Sequence, residues 1–158
     1  MTALTQDMVQ PEAEKQIMVP TSRFGEIAVD PERIIFMLSP FLGFPESKRF
    51  MLKAHSPNSP FMWLQSLDNP QLAFVVVRAE LLDLRTKLAI PRPIVKNLQI
   101  TSDNDQDILL ILTIPKHNPR EMTANLLGPI VLNTRKRLAV QVVLDPLKYN
   151  PCWRVFAD

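Results

Sequence analysis

The chain has 158 residues, a net charge of +2, one cysteine, fifteen prolines and only three glycines. So much proline excludes a bundle of long helices, because interior proline breaks them. Gly25, Gly43 and Gly128 cannot build a glycine-rich phosphate loop, and the lone Cys152 cannot form an internal disulfide. Residues 1–16 are polar, without periodicity, and carry Asp7, Glu12 and Glu14. They read as a flexible tail and not as a signal peptide. Residues 24–29 are short and β-prone and stop at Asp30-Pro31; residues 33–38 follow as a second strand, closed by Ser39-Pro40. Residues 49–54 are a third strand, residues 55–60 a turn-rich loop, and residues 61–66 a fourth strand. Asp68-Asn69-Pro70 makes a tight turn into residues 72–77, which are apolar at every position. Such a run predicts a central strand buried on both faces.

Residues 80–88 are compatible with about two helical turns. Pro91 and Pro93 interrupt them, and Pro93 suits the first turn of a second short helix reaching Leu98. After the acidic loop 103–107, residues 107–114 read as a sixth strand, 123–134 as a seventh and 138–144 as an eighth. Pro129 lacks the ladder donor, so the seventh strand is expected to bulge or lie at an edge there. The expected fold is mostly β: a single antiparallel β-barrel-like domain of seven to eight short strands with a short helical insertion. It spans residues 17–148, between the N-terminal tail 1–16 and a C-terminal tail 149–158. The longest apolar runs fall far short of a membrane helix, so a soluble cytoplasmic protein is expected.

The chemistry-bearing residues are sparse. His55 and His117 sit far apart in Pro/Asn loops, without the neighbours a zinc site requires. Asp103, Asp105 and Asp107 alternate as in a calcium loop, but Ile108 and Ile114 stand where such a loop needs Gly and Glu. Neither GxSxG nor another nucleophile signature is present, and Cys152 between Pro151 and Trp153 reads as packed or idle. No catalytic, cofactor or metal site is expected. Residues 1–79 hold 7 basic and 8 acidic residues, and residues 80–158 hold 11 and 8. The densest basic cluster, Arg135-Lys136-Arg137, reads as a solvated turn and is too short for a nucleic-acid footprint. Phe41, Leu42, Gly43 and Phe44 form a Pro-bounded loop that ought to be exposed. It is either a plug folded onto one end of the barrel or an apolar contact surface for another protein.

Four segments, in order, resemble the FliW family. Thr21-Ser22-Arg23-Phe24-Gly25-Glu26 is similar to its opening TRFGE. Gly43-Phe44-Pro45-Glu46 with Arg49-Phe50 is similar to its GF-E…RF loop. The stretch from Phe61-Met62-Trp63-Leu64-Gln65-Ser66 through Asp68, Pro70 and Leu72-Ala73-Phe74 resembles its WLQS-x-D-x-P-x-LAF hallmark. Met122-Thr123-Ala124-Asn125-Leu126 with Pro129-Ile130-Val131-Leu132-Asn133 resembles its MT-x-NL…PIVIN strand. The resemblance covers about residues 19–148. Four places depart from the usual pattern: Pro40-Phe41-Leu42-Gly43-Phe44 replaces GIPGF, Gly128 replaces Ala, Val140-Gln141 replaces the first part of a Gly-Lys-Gln, and the tail past Tyr149 is longer than usual.

The resemblance implies a binding protein and not an enzyme. Its implied partners are flagellin and CsrA, a dimeric RNA-binding translational repressor, with neither direct nucleic-acid binding nor membrane association. The implied circuit is partner exchange: flagellin occupies the factor, and the freed factor antagonises CsrA and relieves repression of flagellin mRNA. The alternative is an RNA-binding β-barrel module. Candidate partner contacts are Phe41, Leu42, Gly43, Phe44 and Glu46 in the loop, and Gln65, Asp68 and Asn69 at the turn. Asn125 and Asn133 are expected to pin backbone at strand ends, and Trp63, Phe74 and Val76 to belong to the core.

Overall fold

A computed structural model describes residues 16–156. All of the predicted N-terminal tail except Gln16 therefore lies outside the described residues, as do the last two residues of the predicted C-terminal tail. The chain opens with an antiparallel hairpin, β1 (Ile17–Thr21) and β2 (Gly25–Val29), that forms its own two-stranded sheet. Gly25 takes the left-handed turn conformation, with φ +67°. The Thr21 hydroxyl donates to the Gly25 carbonyl at 2.8 Å and accepts the Phe24 N–H at 2.9 Å. Strand β1 was not expected. It tolerates Pro20 because it pairs only with β2, leaving its other edge without ladder bonds.

The body is a closed barrel of seven strands. These are β3 (Ile35–Met37), β4 (Arg49–Ala54), β5 (Met62–Ser66), β6 (Ala73–Arg78), β7 (Gln106–Thr113), β9 (Ile130–Asn133) and β10 (Leu138–Gln141). Each is hydrogen-bonded to the next in the order 7-6-5-4-3-10-9, and β9 returns to β7. The expected mostly-β barrel is found, with one correction to its antiparallel reading. The β3–β10 pair is parallel, with Leu138 opposite Phe36 and Ala139 opposite Met37. Two strands just over a hundred residues apart meet at this seam, and no hairpin connection constrains their relative direction.

The predicted seventh strand is divided. Between the pairs Leu109↔Ile130 and Leu112↔Ala124, β7 advances three residues while its partner uses six, so residues 125–129 bulge out. What remains are β9 and the two-residue β8 (Thr123–Ala124). The Asn125 carboxamide holds the bulge by accepting the N–H groups of Leu127 and Gly128, both at 3.0 Å. The predicted C-terminal tail adds β11 (Trp153–Arg154), which pairs with β8. The helix expected over residues 80–88 shrinks to the 3-10 turn Ala79–Leu82, because Asp83 closes it in a left-handed conformation with φ +56°. The second helix, α1 (Arg92–Asn97), forms as expected with Pro93 in its first turn.

Side chains alternate across the barrel wall. Ile35, Phe50, Leu64, Val76, Leu109, Ile130, Leu132 and Ala139 fill the interior. The opposite faces of β7, β9 and β10 present Ile108, Leu110, Val131 and Val140 to an outer layer built by Leu84, Leu88, Leu98 and Ile100 of the insertion. The hairpin coats another part of the wall, packing Val19 and Val29 against Ile34 and Leu67. No helix of the described residues is long and apolar enough to cross a membrane.

Asn133 ties the outer layer to the barrel. Its amide nitrogen donates to the Leu98 carbonyl at 2.8 Å, and its oxygen accepts the N–H groups of Arg135 and Lys136 at 3.0 Å. Asn133 is buried, so removing the carboxamide strands backbone groups away from water. Asn133→Ala should cost about 2–3 kcal/mol in urea unfolding. A cost indistinguishable from a surface substitution would show that these bonds do not hold the insertion.

Candidate partner-binding surface

Strand directions place the end of β3, the start of β4, the end of β5 and the start of β6 at one mouth of the barrel. Residues 40–47 cross this mouth. Phe41 turns inward, is 2% exposed, stacks on Phe74 at 5.0 Å between ring centroids and touches Phe50 at 5.4 Å. It is the plug, which corrects the expectation that it is exposed; the apolar interior draws in the largest side chain within reach. The Phe44 N–H then bonds the Phe41 carbonyl at 2.9 Å across Leu42 and Gly43. Gly43 has φ +83°, at the position a type II turn reserves for glycine. Leu42 and Phe44 are left 56% and 38% exposed, with Phe44 edge-on to Phe74 at 5.7 Å. The loop therefore divides residue by residue, with Phe41 as the plug and Leu42 and Phe44 left at the surface.

A side-chain bridge fixes the loop tip. The Gln141 oxygen accepts the Leu42 N–H at 3.1 Å, and its amide nitrogen donates to the Gly128 carbonyl at 3.2 Å. A Cβ at residue 128 would meet that nitrogen at 3.0 Å, tighter than ordinary packing.

The turn after β5 braces the loop from the other side. Asp68 accepts the N–H groups of Lys48 and Arg49 at 2.8 and 2.9 Å, and its second oxygen pairs with the Arg49 guanidinium at 2.9 Å. Ser66 Oγ accepts the Asn69 N–H at 2.9 Å and donates to Ser47 Oγ at 3.2 Å. The Asn69 side chain shapes its own turn by accepting the Gln71 N–H at 3.1 Å. Gln65 is corrected as a contact: it is fully buried, and its amide donates to the carbonyls of Ser66 and Leu72. Alternation puts it on the outer face of β5, opposite Met51, which itself packs against the hairpin's cluster. The same hairpin half-buries Trp63, with the Arg23 guanidinium 4.0 Å above its ring and Phe24 against its edge at 6.0 Å.

Loop and turn enclose a cleft of 390 Å³ that brings together Gly43, Phe44, Glu46, Asp68 and Asn69. A second cleft of 500 Å³ lies beyond Pro45 and Glu46, lined also by Phe36, Lys48 and Arg49. Sequence reasoning missed Phe36, which is 45% exposed. The period-two pattern carried the signal, since Ile35 and Met37 point inward and Phe36 must point out. Such a surface, with exposed apolar side chains on a braced frame and charge at its edge, suits protein contact.

The basic cluster does not form a stripe. Arg135 lies 3.9 Å from Asp105, the Lys136 amine donates to the Gln99 side chain, and Arg137 turns to the Arg33 carbonyl. Arg137 is half-buried, which corrects its reading as solvated. His55, His117 and Cys152 are exposed. Among the described residues no group of three or more His, Cys, Asp or Glu side chains is placed to hold a metal ion.

The sequence profile of the family described as FliW protein matches residues 18–153. A protein of Geobacter sulfurreducens named flagellar assembly factor FliW is 40% identical over 133 residues, covering 84% of this chain and 82% of its own length. Its namesake from Magnetococcus marinus is 35% identical over 130 residues, covering 82% and 79%. A crystal structure of the flagellar assembly factor FliW superposes with a TM-score of 0.80 at 31% identity, covering 90% of this chain and 99% of that one.

Burial tends to raise the carboxyl pKa of Asp68, but the N–H groups of Lys48 and Arg49 and the Arg49 guanidinium outweigh it and hold it below the usual range. A depressed native pKa stabilises the fold above the unfolded value of about 3.9 and stops doing so as pH falls through the native value. Asp68→Ala should therefore cost about 1–2 kcal/mol at neutral pH, allowing for solvent screening. The gap to wild type should close on acidification below pH ~4. Melting curves across pH test this, and a gap constant into strong acid would count against the clamp.

Proposed function

Since the chain belongs to the FliW family, we propose that it is a flagellar assembly factor that acts by binding, not catalysis, with flagellin as its partner in the cytoplasm. The finer reading adds CsrA as a second partner. Flagellin holds the factor while it accumulates; once flagellin is exported, the free factor binds CsrA and releases flagellin mRNA from repression. Two ligands coupled through one protein need only differences in affinity and concentration to make such a switch. The observation that carries this reading is the family match across residues 18–153. Exposed Leu42 and Phe44 on a loop anchored by Phe41 support it, because a contact already held in place loses little entropy on binding.

Immobilised protein should capture flagellin from solution, and added flagellin should displace prebound CsrA. Capture of neither at micromolar concentration would remove the proposal.

The division within the loop predicts separable effects. Phe41→Ala should lower stability by about 3–5 kcal/mol, the cost of emptying a core aromatic site. Leu42→Asp and Phe44→Ser should change stability by about 1 kcal/mol or less, as surface substitutions do, while weakening flagellin or CsrA capture at least about tenfold, as loss of a contact anchor does. Unaltered capture by both would move the contact surface away from this loop.

A further inference from the structure

The opposite mouth of the barrel holds a different kind of site. Arg33 precedes β3, Arg78 ends β6 and Arg137 immediately precedes β10, so the strand directions gather three guanidinium groups there. They line a cleft of 430 Å³ together with Asp30 and the apolar side chains of Leu52 and Met62. Arg137 is placed firmly. Its N–H bonds the Asn133 carbonyl at 2.8 Å, its own carbonyl accepts the Phe36 N–H at 2.9 Å, and its backbone is left-handed with φ +59°. A bulky residue rarely adopts that conformation, so the surrounding structure holds it there.

The positive charges are incompletely answered. Arg78 pairs with Asp107 at 3.3 Å, and the Asp30 carboxylate accepts the Glu32 N–H at 3.0 Å. Arg137 donates one Nη to the Arg33 carbonyl at 3.2 Å, but its buried Nε finds no acceptor among the described residues. Burial, and next the like charge of Arg33, push the Arg137 guanidinium below the ordinary arginine range, and Asp107 pulls the other way. Arg33 and Arg137, neither in an ion pair among the described residues, stand in one cleft with Arg78 and offer guanidinium forks to an oxyanion. The walls of Leu52 and Met62 favour an anion carried on a carbon chain, and Asp30 in the lining disfavours a dianion.

We propose that this mouth is a carboxylate-binding site for an acidic peptide segment of a partner protein, with Arg33 and Arg137 as its binding forks. The site is separate from the loop surface and independent of the function proposed above.

Titration calorimetry of the full chain at low ionic strength tests it, with acetyl-Leu-Glu-Ala-Glu-amide as probe and its Gln-for-Glu counterpart as control. The Glu peptide should bind and the Gln peptide should not. Arg33→Gln and Arg137→Gln should each weaken binding by about tenfold, as loss of a charge-assisted bond does. Arg33 is exposed, so its variant decides the matter if Arg137→Gln fails to fold. Silence with the Glu peptide, equal binding of the Gln peptide, binding of inorganic phosphate alone, or unchanged affinity in Arg33→Gln each overturns the proposal. So does much tighter binding when Glu12 and Glu14 are changed to Gln, which would give the site to the chain's own acidic segment.

Discussion

The fold depends on closing a barrel with very short strands. The barrel strands run from three residues in β3 to eight in β7, and the parallel seam between β3 and β10 carries two residue pairs. A seam so short cannot close a sheet alone, and the chain supplements it on both sides. The seam's own ladder bonds run from the Phe36 N–H to the Arg137 carbonyl and from the Leu38 N–H to the Ala139 carbonyl, both at 2.9 Å. Phe41 then fills the mouth above the seam, and Asn133 fixes the turn that leads into it. Closure also removes the open edges that would invite association with other strands.

The second constraint is that much of the barrel wall is apolar on both sides. A wall of that kind must be coated, and the chain supplies the hairpin on one flank and the insertion on the other. The coat determines which parts of the wall stay available. Where it stops, around Phe36 and the loop 40–47, apolar side chains reach solvent. The partner-binding candidates therefore mark the gap between two coats, braced by Asp68 and plugged by Phe41.

Much of this was legible in the sequence because the signals were local. Proline-bounded apolar runs place β4, β5, β6, β7 and α1 to within about a residue, and Pro129 announces the bulge that separates β8 from β9. What was not legible depended on partners far away in the chain. Nothing in residues 35–37 or 138–141 says that they pair, still less in parallel. Gln65 reads as a polar surface residue, and only its burial and its bonds to the Ser66 and Leu72 carbonyls show otherwise. Phe41 and Phe44 are alike in sequence, and only the barrel interior beneath the loop distinguishes the plug from the exposed side chain.

The Gln141 bridge joins three places that stand far apart in the sequence. The altered loop, Gly128 and Val140-Gln141 are scattered in sequence, yet one carboxamide joins them: its oxygen holds Leu42 and its nitrogen holds the residue 128 carbonyl. An alanine at 128 would crowd that nitrogen and disturb the loop tip through it. Substitutions at residues sharing one side chain are not additive. Once residue 141 has given up the bridge, a methyl added at 128 no longer meets its amide, so substitutions at the two positions are expected to be coupled in their effect on the loop tip.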